Sequence, residues 1–373
     1  MKLFQKLIVA PAALGFLIPS TAFAEEIKLA DISNYSSSKE VKSISDFNPA
    51  KELVVTNSRI DGLEAKFNDF EAGSFSETTT ASFGVDVILE GASGPDTVDE
   101  AVGFHYAYSM GTKTSFTGDD TLAIKMEAGN GSGATGGILD FGASTTDQLK
   151  VVDVNYTFPL GDNLTMKVGD SLKISKSFTQ ACSYGAFVDE LSNCGDGGAH
   201  NVGGDISASG EYDFDNGFTV AGGITGKKDS TELLTDENPG EYALNAAYIT
   251  DSYGLSVAFK EDVSTTYFGL NGTYTFPESI SVSAGIGTKD ADDADSATSW
   301  MAGVTFPEVG IGEINVGVGT NGYFDDDETY IYEASYGWDI NDGMSTTVGA
   351  FISEGASGVD DTTGIASTLS FSF

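Results

Sequence analysis

A strict alternation of apolar residues with small or polar residues runs from residue 75 to residue 373 and limits the folds open to this chain. In "ASFGVDVIL" the apolar positions are Phe83, Val85, Val87 and Leu89, and "AVGFHYAYSM" repeats the same period of two. This period belongs to β-strands with one face in an apolar medium. About sixteen such segments follow one another, each near the ~9–11 residues that cross a bilayer obliquely.

The connections between these segments differ in length in a regular way. Tight turns such as "TGDD", "PLGDN", "FDNG", "DSYG", "FPES" and "INDG" follow the even-numbered segments, and longer polar loops mostly follow the odd-numbered ones. Short turns on one rim and long loops on the other are typical of outer-membrane barrels. A soluble β-sandwich also alternates, but it has no reason to sort its loops by rim. We therefore predict an all-β membrane protein, an antiparallel transmembrane β-barrel of about 16 strands over residues 75–373.

The chain before the barrel divides into three segments. Residues 1–24 have two lysines, an apolar stretch and an Ala-Phe-Ala ending, which predicts a secretory signal peptide. Residues 25–47 are a polar spacer, and residues 48–73 are predicted to be a helix that Asn48 caps. An exported barrel protein is expected in the cell outer membrane, in contact with the lipid bilayer.

The predicted helix has an apolar seam with heptad spacing. Its core residues are Leu53, Ile60, Leu63, Phe67 and Phe70. Such a seam favours a short coiled coil between identical chains, a trimerisation helix. The alternative is an amphipathic helix that packs on its own domain.

Composition excludes several functions. The formal net charge is −38, which repels phosphate backbones, so nucleic-acid binding is not expected. Two histidines, no G-x-S-x-G and no H-E-x-x-H leave no catalytic motif, so we predict no enzymatic activity and no cofactor. The acidic runs at 290–295 and 325–328 lack the glycine and final glutamate of an EF-hand loop, and no metal site is predicted.

A barrel of this size leaves room for a water-filled lumen. The alternation places His105, Lys125, Glu127, Asp153, Lys167 and Lys260 on its inner face as pore-lining candidates. Each is either a contact for a solute or simply a solvated wall residue. The acidic excess and the single arginine, Arg59, predict a preference for cations.

The longest loop, roughly residues 172–203, contains both cysteines, Cys182 and Cys194. In an exported protein these two predict one disulfide, and the alternatives are free thiols or a metal site for which His200 is the only further ligand nearby. A loop folded into the lumen would form the narrowest point of the pore, with Lys173, Lys176, Asp189 and Glu190 facing the solute. The alternative, that the loop covers the outer rim, is equally compatible with the sequence.

Two stretches carry a resemblance to a known family. "RIDGLEAKFNDFEAGSFSETTTASF" at 59–83 and "TSFTGDDTLAIKMEAGNG" at 114–131 resemble the helix-to-barrel junction and early strands of cyanobacterial outer-membrane porins. These S-layer-homology-domain porins are related to carbohydrate-selective and iron-uptake porins. The resemblance implies a homotrimer of 16-stranded barrels that passes small hydrophilic solutes, including sugars and inorganic ions.

The resemblance has one gap. Family members carry an S-layer-homology domain that binds peptidoglycan, whereas "SISDFNPAKEL" at 43–53 begins like that domain and passes directly into the helix. Peptidoglycan binding is therefore not carried over to this chain.

The resulting interpretation is a porin for passive diffusion, and the alternative is a structural or adhesive barrel without transport. The last predicted strand, "GIASTLSFSF", has Phe371 and Phe373 on its apolar face. A terminal aromatic of this kind resembles the signal read by the outer-membrane barrel assembly machinery.

Overall fold

The computed structural model of the chain describes residues 78–95, 102–131, 138–139, 142–226, 240–277, 279–292, 294–325 and 328–373. All of them belong to one compact unit, Lys66–Phe373. The predicted signal peptide, spacer and trimerisation helix lie outside the described residues. None of the helices in the described ranges is long and apolar enough to span a membrane.

Sixteen β-strands and two short 3-10 helices make up the fold. The 3-10 helices are Ile174–Ser177 and Asp189–Gly195. The strands are β1 Thr79–Ser93, β2 Val102–Thr114, β3 Thr121–Gly129, β4 Lys150–Pro159, β5 Leu164–Lys173, β6 Gly203–Asp213, β7 Phe218–Thr225, β8 Glu241–Ile249, β9 Tyr253–Glu261, β10 Thr265–Thr275, β11 Ser281–Ala291, β12 Ala297–Val309, β13 Gly312–Thr320, β14 Tyr330–Asn341, β15 Met344–Ser353 and β16 Thr362–Ser372.

Each strand pairs antiparallel with the next, and β1 pairs with β16 to close the barrel. At the closing seam Val85 lies opposite Phe371 and Val87 opposite Leu369. Phe83 and Phe373 exchange backbone hydrogen bonds at this seam, at N···O distances of 3.0 and 2.9 Å. Closure leaves no strand edge open to lipid, which is the condition for a sheet to span a membrane. The predicted closed 16-stranded antiparallel barrel is confirmed.

Most connections follow the predicted rule. Two residues join β12 to β13 and two join β14 to β15, whereas β5 and β6 are separated by residues 174–202. Two links after odd-numbered strands are exceptions, because the link from β9 to β10 has only residues 262–264 and the link from β11 to β12 only residues 292–296.

The outer wall is apolar along the strands and aromatic beside the short turns. Leu244, Leu255 and Ile365 are each more than half exposed on this wall. Aromatic pairs flank the turns, with ring centroids 4.7 Å apart for Tyr212 and Phe214 and 5.2 Å apart for Tyr336 and Trp338. This arrangement matches a lipid-facing band with an interfacial girdle.

The inner wall differs from the expected small and polar face at several large apolar residues, among them Leu172 opposite Asp205 on β6, which is fully buried. Ile88, Met301, Ile331 and Phe351 occupy inward registers and are at most 3% exposed. Met301, Ile331 and Phe351 belong to an apolar cluster with residues of the 174–202 loop, which excludes water from them. The alternation places Ile88, Met301, Ile331 and Phe351 only on the inner face. The 174–202 loop accounts for the burial of Met301, Ile331 and Phe351.

The two faces should respond differently to charge. On β15, Val348 faces outward and its neighbour Thr347 faces the lumen. We expect Val348→Arg to destabilise the barrel by about 2–4 kcal/mol, because it places a charge in lipid. Thr347→Arg is the matched control and should cost much less. Denaturant titration in lipid vesicles, followed by gel mobility without boiling, measures both, and equal losses would contradict the assignment of faces.

Candidate functional site: a lumen narrowed by the 174–202 loop

The 174–202 loop, called the constriction loop from here on, folds into the barrel. Ile174, Leu191, Asp196 and His200 are fully buried, as a loop over the rim would not be. The structure thus decides between the two placements that the sequence left open.

The first arm of the constriction loop runs across the inner wall and forms hydrogen bonds with one strand after another. The Thr179 backbone N–H donates to Asn245 Oδ1 at 3.2 Å, and the Ala181 N–H donates to Asn271 Oδ1 at 3.1 Å. Further along, the Ser183 N–H donates to Ser283 Oγ at 3.3 Å. Inward side chains of β8, β10 and β11 therefore satisfy backbone groups that a buried loop would otherwise leave unpaired.

Glycines on the inner wall make room for the rings of the loop. A Cβ atom at Gly303 would lie 2.5 Å from the Tyr184 ring, and one at Gly349 would lie 2.7 Å from the Phe187 ring. Any larger residue at these inward positions collides with the loop. The glycines that interrupt the inner faces of β12 and β15 thus mark where the loop packs.

Glu333 on β14 holds the tip of the constriction loop. Its carboxylate accepts hydrogen bonds from the Tyr184 hydroxyl at 2.6 Å, the Phe187 N–H at 3.0 Å and the Val188 N–H at 2.6 Å. The residue is 4% exposed. A buried carboxylate is tolerated only when donors surround it, and here the loop provides them.

Asp196 and His200 hold the returning arm. His200 Nδ1 lies 2.7 Å from Asp196 Oδ2, and the Tyr323 hydroxyl donates to Asp196 Oδ1 at 2.7 Å. Burial opposes ionisation of Asp196, but the hydrogen bond and charge of His200, together with Tyr323, bring its pKa below the usual value. The carboxylate is therefore the form that this anchor uses.

Asp196, His200 and Ser256 form a chain of hydrogen bonds in that order, in which His200 Nε2 lies 3.2 Å from Ser256 Oγ. The arrangement does not form a nucleophilic centre. Ser256 Oγ donates to the Thr179 carbonyl at 2.9 Å, and Asp196, His200 and Ser256 are all fully buried. With its hydroxyl engaged and no access for a substrate, this group serves to fix the loop to β9.

A disulfide and contacts with the connection between β3 and β4 stiffen the loop further. The disulfide Cys182–Cys194 joins its two arms, with Cα atoms 5.8 Å apart. Leu139, from the connection between β3 and β4, packs against the loop tip and is 1% exposed. The Asp189 N–H also donates to the Ile138 carbonyl at 3.2 Å. The loop is thus held from the wall and from a second connection.

The wall of β2–β5 stays accessible inside the lumen and carries paired charges. The Lys125 ammonium lies 2.5 Å from Glu127, and the Lys125 side chain is 51% exposed. Lys176 from the constriction loop pairs with Asp153 on β4, and Lys167 Nζ donates to the Lys176 carbonyl.

The remaining pore-lining candidates also face inward. His105 Nε2 lies 3.2 Å from Glu90 Oε1. Lys260 lies 3.3 Å from Glu241 and above the Tyr267 ring, at 4.8 Å from its centroid. All six candidates therefore project into the lumen, most of them paired with a group of opposite charge.

The four candidate charges of the loop are placed differently from one another. Lys176 reaches Asp153 on β4, and Asp189 is exposed. Lys173 instead donates to Asn201 Oδ1 at 2.8 Å, and Glu190 Oε2 is enclosed without a partner among the described residues. Burial, with the nearby charge of Asp189, raises the pKa of Glu190.

The anchors Glu333, Asp196, His200 and Tyr323 were not among the sequence candidates. The only signal for Glu333 was an acidic residue at an inward position of β14.

The anchor at Glu333 can be tested by substitution. Glu333→Ala leaves three buried donors without an acceptor, at a cost of about 1–3 kcal/mol for each. We expect a mobile loop tip, seen as higher and noisier single-channel current. Tyr184→Phe removes one donor and keeps the ring, so its effect should be smaller. Current traces of Glu333→Ala that match the unmodified protein would contradict this role.

Comparison with known proteins supports the fold and leaves the family open. No model of a known protein family matches the chain. An uncharacterized protein of Nostoc sp. is 36% identical over 83 residues, which is 22% of this chain and only 14% of that protein.

Solved structures of bacterial porins resemble the whole barrel. OprB of Pseudomonas putida superposes with a TM-score of 0.62 at 12% identity, covering 79% of this chain and 94% of that chain. The anion-selective porin from Comamonas acidovorans gives 0.55 at 12% identity, covering 79% and 99%. OmpT of Vibrio cholerae, in its trimer form, gives 0.56 at 11% identity, covering 80% and 100%. The chain therefore has the fold of bacterial outer-membrane porins, which supports the outer membrane as its location.

Proposed function

We propose that this protein is a non-enzymatic outer-membrane porin for passive diffusion of small hydrophilic solutes and ions. The observation that carries the proposal is the solvent-accessible wall of β2–β5 inside a closed barrel, shown by the half-exposed Lys125. The constriction loop covers the β6–β15 side and leaves this polar side for transport. Sugars and inorganic ions such as iron are the solute classes that the sequence resemblance suggests.

The charge of the lumen favours cations in this proposal. Among the described residues, inward carboxylates on the wall outnumber inward lysines. The carboxylates include Asp86, Glu90, Glu127, Asp153, Asp205, Glu211, Asp213, Glu241, Glu313, Glu333 and Asp339, and the lysines include Lys113, Lys125, Lys150, Lys167, Lys260 and Lys289. A lumen with net negative charge raises the local concentration of cations.

Assembly belongs to the proposal as well. The matched OmpT structure is a trimer form, and we propose a homotrimer here, joined through the helix at 48–73. Phe371 lies on the lipid-facing side of β16, opposite Val85. Together with Phe373 it is proposed as the site read by the barrel assembly machinery.

One observation favours a second function, a structural or adhesive barrel. The apolar cluster around Leu139, Phe187, Leu191 and Phe351 fills part of the lumen and excludes water there. If the constriction loop and the connection between β3 and β4 also close the remaining side of the lumen, the barrel displays loops without transporting solutes.

Planar-bilayer recording separates the two functions. We expect stepwise conductance from the purified protein, because the β2–β5 side offers a continuous polar wall. Reversal potentials across a KCl gradient should show cation preference that weakens with rising salt, since the Debye length falls to ~3 Å near 1 M. A series of sugars of increasing size then gives the pore radius. Absence of steps would favour the structural barrel, and anion preference would refute the charge argument.

A further inference from the structure

A chamber of about 520 Å³ lies next to the tip of the constriction loop, towards the rim of the short turns. It is enclosed by β1, β13, β14, β15 and β16, and by loop residues 185–187. The volume is in the range of sites for small molecules. The residues that matter for its chemistry are Asp86, Glu313, Ser335, Thr347, Ser370 and Phe187.

The chamber is anionic. Asp86 and Glu313 line it, and no lysine, arginine or histidine does. The inward lysines of the described wall lie on other strands, β2, β3, β4, β5, β9 and β11. Neither carboxylate has a cationic partner inside the chamber, where Glu313 accepts only a neutral hydrogen bond from Asn315 Nδ2 at 2.9 Å. Glu127 and Glu241, by contrast, pair with Lys125 and Lys260.

The wall between the two carboxylates consists of hydroxyl groups. Ser335, Thr347, Thr368 and Ser370 line the chamber, and their hydroxyls make no hydrogen bond to another described residue. Ser335 is only 7% exposed. The Ser335 oxygen keeps some contact with solvent and lines the chamber, so water or a ligand inside the chamber supplies its partner. A ligand with several N–H donors can provide it.

The spacing of the carboxylates indicates an elongated ligand. Asp86 is on β1 and Glu313 on β13, with β14, β15 and β16 between them. At about 4.8 Å per strand, a single inorganic ion cannot contact both groups. No group of three or more histidine, cysteine, aspartate or glutamate residues in the described ranges could hold a metal ion.

We propose that this chamber is a binding site for elongated organic polycations of the polyamine class, which occupy it while crossing the channel. The ammonium groups face Asp86 and Glu313, the N–H donors contact the hydroxyl wall, and the Phe187 side chain borders the methylene segments. This inference rests on the proposed channel function and names one class of solute for it.

Spermidine is the probe, and triethylene glycol is the control because it has the same number of heavy atoms and no charge. In planar bilayers we expect millimolar spermidine to reduce the current through the open channel. Triethylene glycol at the same concentration should have a much smaller effect. Equal reduction by both solutes would show that size alone blocks the lumen, and it would overturn the proposal.

Variants locate the site. Asp86→Asn combined with Glu313→Gln removes both charges and should weaken the effect of spermidine about tenfold or more, equivalent to at least about 1.4 kcal/mol. Glu127→Gln combined with Glu241→Gln changes the charge of the lumen by the same amount outside the chamber. This control should keep most of the spermidine effect. If both pairs weaken it equally, only the general charge of the lumen matters and the chamber is not a site.

A binding measurement separates this inference from the channel function. Calorimetric titration of spermidine into the detergent-purified protein reports on the chamber even if the barrel conducts no ions. Binding that Asp86→Asn with Glu313→Gln abolishes supports the site, whatever the conductance. Conductance without spermidine binding leaves the porin function intact and refutes the site. Absence of conductance with intact binding refutes the transport function alone.

Discussion

The pairing of β1 with β16 is the constraint on which the rest of the structure depends. In lipid, every backbone N–H and C=O must find a partner within the protein, so a sheet is stable there only when it closes on itself. The register at this seam, with Val85 opposite Phe371 and Gly84 opposite Ser372, aligns the faces of the first and last strands. A shift by one residue would turn the apolar side chains of β16 into the lumen.

The constriction loop has a second requirement, which is that its buried backbone groups find hydrogen-bond partners inside the closed barrel. A loop inside a barrel brings many backbone polar groups into a space with little water. The inner wall provides acceptors for them at Asn245, Asn271 and Glu333, and space for the rings at Gly303 and Gly349. The loop in turn shields Met301, Ile331 and Phe351 from water. Wall and loop are therefore parts of one packed unit.

Much of the fold could be predicted because its signals are local. Alternation gave the strands and their faces, and turn residues gave the rims. The position of the constriction loop could not be obtained in this way, because its anchors are distant in sequence. Glu333 contacts Phe187 across 146 residues, and Asp196 contacts Tyr323 across 127. An acidic residue or a glycine at an inward position has no distinct local pattern, so only the folded barrel shows which of them meet the loop.

The asymmetry of the loop decides where charge can act on a solute. On the side that the loop covers, Glu333 and Asp196 are buried, and their carboxylates accept hydrogen bonds from backbone and side-chain donors of the protein. On the open side, Lys125 with Glu127 and Lys176 with Asp153 form pairs that cancel at a distance. Beside the loop tip, Asp86 and Glu313 line a chamber without a lysine, arginine or histidine, and Glu313 accepts one hydrogen bond from the Asn315 amide. The selectivity of such a channel would then depend less on its total charge than on which carboxylates the protein leaves without a cationic partner.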